Sequence, residues 1–517
     1  MQRKESVRLL LPDDVGLECL RKDWVCEIHR QKSGTLTFWD TYEWGLWFGG
    51  CALYSYGEVY HLCAREEGWL GGVLCEEKAG GRRRFWKDFE TEPMRSRLEG
   101  MLGLRGLAPV VGGAFRLSHG DLRNKMGKIV CRLDWTSVST GKREEEELLQ
   151  SCLVMPLLGY EAEASHVVDK LIECGAKTPG DDPLVVLLQH ANLEPQEYTL
   201  RPAFGLKTET SAREAVGCIV RTILEIAFRN VPGILNDIDT EFLHDYRICL
   251  RKIRSVLSLV KDVFPAEGTR LMRKALGDLA RQTNRLRELD VYLLARDEYL
   301  GLLPPAFHPA LDVMFKDFSA EREMEVQHVI SKMRAASFQR LLGEIGEYFS
   351  ADTRHEPSSA AALPVDQLIF SRIYKSYRKI CRLAAGIGAE TPDEVLHQVR
   401  VACKKLRYLM EFFSELIPGE EASEMQKVLR RLQGRLGEFN DSSVQQKSLL
   451  NYWEQKRSGS EVAPGLGGLV SILYHRQQQT REQIVQALEM FCGGSTAATF
   501  KRVFKQPAHV PVRQPRG

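Results

Sequence analysis

Apolar and polar residues alternate with a period of two through several short runs in the first two hundred residues. Among them are "TLTFWDTYEW", "GGCALYSYGEVYHLCAREE" and "KIVCRLDWTSV". Gly-rich stretches, "GWLGG", "KAGGR" and "VVGG", separate such runs, which predicts half-buried strands joined by turns. "SHVVDKLIECG" has the spacing of a short helix that stops at Gly175, and "AKTPGDDP" breaks the chain after it. A mainly antiparallel sheet with a few helices is the predicted result.

From about Ser211 the rhythm changes. Residues 213–229, 241–263, 267–300, 308–349, 365–386, 393–416 and 420–453 place apolar residues every three to four positions, the signature of amphipathic helices. "TRHEPSSAAALP" (353–364) interrupts them as a linker. The stretch from Gly493 to Gly517 has Gly, Pro and Lys/Arg but no acid, which predicts a disordered basic tail. The expected class is α+β, with a sheet domain at 1–205, helical bundles at 211–352 and 365–492, the linker 353–364 between them, and the tail 493–517.

Composition narrows the chemistry. A chain of 517 residues exceeds what one core can organise. Its net charge of +2 excludes a protein that is basic all over, so any polyanion site has to be local. No apolar run approaches the roughly 20 residues of a membrane span. The apolar stretch in "MQRKESVRLLLPDD" is too short for a signal peptide, so no membrane partner is expected. The 13 cysteines form no CxxC pair and no Cys/His spacing suited to zinc. Free thiols in a reducing cytoplasm, with no metal and no cofactor, are the expectation.

The helical part repeats itself. "LHDYRICLRKIR" (243–254) and "LHQVRVACKKLR" (396–407) align without a gap at an offset of 153 residues. His244 matches His397, Arg247 matches Arg400, Arg251 matches Lys404, Lys252 matches Lys405, and Arg254 matches Arg407. Farther on, Leu276 and Leu279 match Leu429 and Leu432, Glu288 matches Asp441 and Val291 matches Val444. Two copies of one helical bundle are the simplest source of such a register.

At about 100° per residue, Leu243, Tyr246, Leu250, Ile253 and Leu257 form a core face. His244, Arg247, Arg251 and Arg254 line its border, and Lys252 lies farther round. His397, Arg400, Lys404 and Arg407 repeat that border row. The helix after the first row carries Arg270, Arg273, Lys274, Arg281 and Arg285; its counterpart carries Lys427, Arg430, Arg431 and Arg435. Residues 244–291 hold 11 Lys/Arg against 6 Asp/Glu, and residues 397–444 hold 8 against 7, so the excess is heavier in the first copy.

Like charges one helical turn apart repel by about 0.2–0.5 kcal/mol per pair. A row that accepts this twice, in one register, predicts an anion site. Guanidinium groups fit phosphate oxygens in pairs and ammonium groups add point charge. A solvated face paired with neighbouring acids is the plain alternative, and it offers no reason for the row to recur. A histidine beside a core row orients its neighbours more often than it touches a ligand.

The repeated His-led helix, with "LRELDV" (286–291) and "LGEFNDSSV" (436–444), resembles the CHAD family, the conserved histidine α-helical domain. The family pattern there is close to Leu-Gly-x-x-Arg-Asp-x-Asp-Val. The first copy has Arg287, Asp290 and Val291 but Glu288 for the first Asp; the second has Asn440 for the Arg and Ser443 for the second Asp. The resemblance covers roughly residues 211–492. It implies two four-helix bundles related by a pseudo-twofold axis around a basic groove for inorganic polyphosphate, without catalysis. Association with polyphosphate granules is also implied. By position, His244, Arg247, Arg251, Lys252, Arg254, Arg273, Lys274, Arg281, Arg285, His397, Arg400, Lys404, Lys405, Arg407, Lys427, Arg430, Arg431 and Arg435 would line it.

The first 205 residues are similar to a degenerate CYTH, or triphosphate tunnel, domain. "TFWDTYEWGLWFGGCAL" (37–53) carries Asp40, Thr41, Gly50 and Leu53 at the family's places, and "YEAEASHVVDKL" (160–171) resembles its late Glu-bearing strand. A tunnel-like antiparallel domain is what this implies. Its metal-binding Glu-x-Glu-x-Lys strand is replaced by Lys4, Ser6 and Arg8, and "YSYGEVY" carries no cation where an Arg cluster is expected. A hydrolysis that needs a cation needs those carboxylates, so no enzyme activity is expected. "GGRRRFWKDFE" (80–90) and "FRLSHGDLRNKMGK" (115–128) leave phosphate binding open here, as they do exposed turns.

Three functions follow for comparison. The first is non-enzymatic polyphosphate binding by the helical part, and the second is residual triphosphatase or polyphosphatase activity in the N-terminal part. The third is nucleic-acid binding, disfavoured because no aromatic residues interleave with the cations. Oligomeric state is left open.

Overall fold

The structure, a computed structural model, describes residues 6–12, 17–66, 69–78, 81, 83–139, 147–178, 183–350, 353, 355–356, 358–388, 390–417, 419–455 and 462–505. It divides into two compact units, residues 1–198 and 199–517.

The first unit holds eight antiparallel strands: β1 (Val7–Leu11), β2 (Val25–Asp40), β3 (Cys51–Tyr56), β4 (Val59–Glu66), β5 (Trp69–Lys78), β6 (Ala108–Arg123), β7 (Ile129–Ser139) and β8 (Glu147–Pro156). Their order is β1-β8-β7-β6-β2-β3-β4-β5. Among the described residues no ladder joins β1 to β5, so the sheet is open and the expected tunnel is not formed. The outer edge of β1 is occupied instead by the chain after the last strand. Leu10 N donates to Lys177 O at 2.8 Å and Lys177 N donates to Leu10 O at 2.9 Å, which satisfies the outward backbone groups of Leu10 at that edge. Leu184, Leu187 and Leu188, on a helix at Pro183–His190, pack with Leu36, Phe38, Val138 and Leu149 of the sheet.

One other expectation changes here. "YEAEASHVVDKL" is not a strand: Glu161–Glu173 is helix α1, burying Ala164, Val167 and Leu171 on one face. Their i, i+3, i+7 spacing fits one helical stripe, and the Ala/Glu composition favours it. Asp40 is a structural carboxylate. It accepts from the backbone N–H groups of Thr41 (2.7 Å), Leu46 (2.9 Å) and Trp47 (2.9 Å), fixing a turn in which Trp44 takes a left-handed φ of 57°. Burial pushes its carboxyl up to about 6, against the opposing pull of these N–H groups. In the basic turns, Arg83 pairs with Glu90 at 2.9 Å and Arg123 with Glu27 at 2.8 Å.

The second unit is helical: α2 (Ala212–Leu235), α3 (Thr240–Leu259), α4 (Ala266–Gln282), α5 (Asn284–Leu294), α6 (His308–Arg334), α7 (Val365–Ala384), α8 (Asp393–Phe412), α9 (Gly419–Gln455), α10 (Ala463–Cys492) and α11 (Gly494–Lys505). The repeat is visible in the bounds. Moved by 153 residues, α3 coincides with α8 at both ends, and the starts of α2 and α4 fall on those of α7 and α9. It is visible in hydrogen bonds too. Ala212 N donates to Leu363 O at 2.9 Å and Val365 N donates to Thr210 O at 3.0 Å. Shifted by the same offset, each bond becomes the other with donor and acceptor strands exchanged, as a local twofold axis requires. Tyr292 Oη donates to Gln445 O, its own partner position in the second copy, at 3.5 Å.

The copies differ in continuity. The single helix α9 corresponds to α4, α5 and a short helix at Arg296–Gly301, broken at Thr283 and Ala295. The expected disordered tail is also different: residues 494–505 are α11, whose Phe500 and Phe504 are buried. Phe500 stacks on Tyr377 with ring centroids 4.0 Å apart. The i, i+4 aromatic pair gives the segment an apolar stripe despite its lack of acids. Residues 506–517 lie outside the described residues.

Candidate polyanion site

Helices α3 and α8 touch, and their border rows meet. Asp239 starts α3 by accepting from Glu241 N (2.9 Å) and Phe242 N (3.2 Å), an N-cap that fixes which residues face the core. Leu243, Tyr246, Leu250 and Ile253 are buried, as are Leu396, Val399, Cys403 and Leu406 of α8. With those stripes inside, the cations are held at the boundary between core and water.

Arg251 of the first copy is close enough to Arg400 and Lys404 of the second to act on both. Burial, then Arg400, Arg251 and Arg407, pulls the Lys404 ammonium down to about 8. Burial, then Arg251 and Arg287, lowers Arg247 to about 10. Burial also lowers Arg400; Asp441 opposes, and Arg251 and Arg407 add to the fall. Arg254 is lowered by burial and then by Arg273 and Arg281. Every shift has the sign of a charge short of counter-charge. Among the described residues, Arg251, Lys404 and Arg407 have no carboxylate partner, and the Arg407 Nε and Arg400 Nε atoms are buried without a hydrogen bond.

Other expected residues are placed differently. Arg247 is tied down at the helix break. Its Nη1 donates to Ala280 O and Thr283 Oγ1, both at 2.7 Å, and its Nη2 to Asn284 Oδ1 at 2.9 Å. At the break the Ala280 carbonyl accepts from Arg247 and also from Thr283 N (3.3 Å) and Thr283 Oγ1 (3.0 Å). In the unbroken copy Arg400 pairs with Asp441 at 3.2 Å instead. Lys252 is buried, ion-paired with Glu411 and donating to Leu200 O at 2.7 Å. Arg285 is held by both oxygens of Glu321 (2.6 and 2.5 Å) and by Glu288 at 3.0 Å.

Arg281 pairs with Asp278, Lys427 with Glu424 (2.6 Å) and Arg435 with Glu438 (2.9 Å). Arg430 Nε donates to Gln426 O at 3.3 Å. Arg273, Lys274, Lys405 and Arg431 are exposed. His244 is partly buried. His397 is exposed and donates from Nδ1 to Asn440 Oδ1 at 2.9 Å, beside a recess of about 410 Å³ that also includes Arg400, Ser443 and Lys447.

Two contributors were not picked out from the pattern. Arg287 acts on Arg247 electrostatically, and the family's Arg position in "LRELDV" was the available signal. Arg201 lines a recess with Arg407 and Arg430; it lies before the helices of the second unit, outside any repeat, where no periodicity could mark it. Asp290, in the same motif, is a buried anchor: Arg322 donates to it at 2.7 Å and to Asp237 at 2.7 and 3.1 Å. Among the described residues no group of three or more His, Cys, Asp or Glu could hold a metal ion, and no helix is long and apolar enough to cross a membrane.

An uncharacterized protein of Mycobacterium tuberculosis (strain ATCC 25618 / H37Rv) is 26% identical over 265 residues, 48% of this chain and 47% of its own length. The chain thus matches about half the length of that relative. The crystal structure of the CHAD domain from the plant Ricinus communis aligns with 56% of this chain and 95% of its own at 22% identity, with a TM-score of 0.47. PptA from Streptomyces chartreusis covers 54% of this chain and all of its own at 18% identity, with a TM-score of 0.42. Residues 218–450, which contain both basic rows, match the model of the CHAD domain, and the helical unit of this chain therefore carries a CHAD domain.

Proposed function

We propose that the helical unit binds inorganic polyphosphate, without turning it over, through the cations that α3 and α8 bring together. The observation that carries this reading is Arg251 standing with Arg400 and Lys404 across the repeat, with Asp441, among the described residues, the one carboxylate that acts on both Arg400 and Lys404. An anion with about one charge per phosphate relieves that repulsion along its whole length. Arg forks and a Lys point charge suit phosphate oxygens. Binding of this kind would also carry the chain to polyphosphate granules.

Competition at fixed salt tests it: long-chain polyphosphate should displace labelled RNA and DNA, and preferential retention of nucleic acid would sink the reading. The same titration has a predicted pH dependence. Free Lys404 loses its proton through about 8, so affinity should fall as pH rises through that value, by up to tenfold per unit for one proton taken up. Lys404→Arg should flatten the profile, because Arg stays charged. The unliganded fold has the opposite trend. Between about 8 and the ordinary 10.5 the unfolded chain keeps a proton that the folded one has lost, so stability rises across that window.

A further inference from the structure

Residues 200–206 run over the second unit as a strap. Phe204 N and Leu206 N donate to the two oxygens of Glu415 at 2.5 and 2.7 Å, and Leu200 O accepts from Lys252. Beneath it lies a recess of about 150 Å³. Four cations border it, Arg201, Lys252, Arg407 and Arg430, against one buried-side acid, Glu411, which Lys252 already neutralises. Arg407 belongs to the basic row as well, since it acts on both Arg400 and Lys404. The recess therefore adjoins the row, and the Arg407 Nε is buried there without a partner.

The strap's anchor is not duplicated by the repeat. At the place related by 153 residues, Lys405 is exposed where Lys252 is buried, and Ser258 stands where Glu411 stands. The two ends of the row thus differ although the helices match. A linear polyphosphate also has two kinds of phosphate: inner ones with one charge, and end groups whose second ionisation, like that of other phosphate monoesters, has a pKa of about 6.

We propose that the recess under the strap is a terminal-phosphate subsite, in which Arg201, Arg407 and Arg430 take the doubly charged end of a polyphosphate chain whose inner phosphates lie along the Arg400–Lys404–Arg251 row. It rests on the polyphosphate reading above. It makes the site a reader of chain ends, with Arg407 shared between the recess and the row.

The test uses the full chain and two ligands, linear polyphosphate and the same polymer with both ends blocked as phosphoramidates. Blocking removes end charge and adds bulk, and should weaken binding at least tenfold. In Arg201→Ala/Arg430→Ala, both exposed positions, the ratio between open and blocked ligand should fall toward one. Equal affinity of the unaltered protein for the two ligands overturns the subsite while leaving the polyphosphate reading standing, as does a ratio that the double variant preserves. Failure of the open polymer to bind overturns that reading and the subsite with it.

Discussion

Arg251→Ala/Lys404→Ala should lose about two orders of magnitude in polyphosphate affinity at fixed salt while keeping its fold. Each charge-assisted contact to phosphate is worth about 1.5–3 kcal/mol, and a factor of ten is about 1.4 kcal/mol. Neither side chain has a carboxylate partner among the described residues, so removing them orphans nothing. Lys404 is held below its ordinary value by burial and by three arginines. Losing its charge relieves a cost, and the thermal midpoint should stay level or rise. The salt dependence carries a second signature. Two fewer neutralised phosphates should make the slope of log K against log salt shallower by about 1.4, at roughly 0.7 per contact for a single-stranded polyanion. A variant that melts early would mean these residues are structural; one that binds as before would mean the row is only a solvated face.

Lys252→Met should do the reverse, lowering stability strongly by a route that has nothing to do with ligand. Lys252 and Glu411 have only 7% and 18% of their side chains exposed. Removing one partner of such a buried pair leaves a charge without compensation, at a cost of about 3–5 kcal/mol. Replacing both, as in Lys252→Met/Glu411→Leu, should recover most of that loss, because two apolar groups of similar size need no partner. Denaturant unfolding of the three proteins measures it. A stable Lys252→Met that had lost polyphosphate binding would return Lys252 to the ligand and contradict its placement here.

These two lysines show how far the sequence could be read. The 153-residue offset located α3 and α8, and the apolar stripe fixed which residues border the core, because helical periodicity is local information. Lys252 and Lys404 both sit in the repeated dodecapeptides, yet one is buried against Glu411 and the other is left unpaired. That difference arises from a partner 159 residues away and from the strap, neither of which any local pattern encodes. The first unit shows the same limit. Alternation predicted its strands, but closure depends on which chain segment takes the edge of β1, and Lys177 takes it. For "YEAEASHVVDKL" the resemblance implied a strand, whereas the spacing of "SHVVDKLIECG" gave the helix that Ala164, Val167 and Leu171 anchor inward. Phe500 and Phe504 likewise outweighed the missing acids of the tail, since an aromatic stripe with a buried partner suffices to order one short helix.

If both copies bind one anion together, diffraction from crystals of the full chain soaked with a short linear polyphosphate should show phosphate groups bridging Arg251 of α3 to Arg400 and Lys404 of α8. Those phosphates should lie within hydrogen-bond reach of all three. Phosphates bound to the exposed cations of α4 or α9 alone, with the space between Arg251 and Lys404 empty, would contradict joint binding.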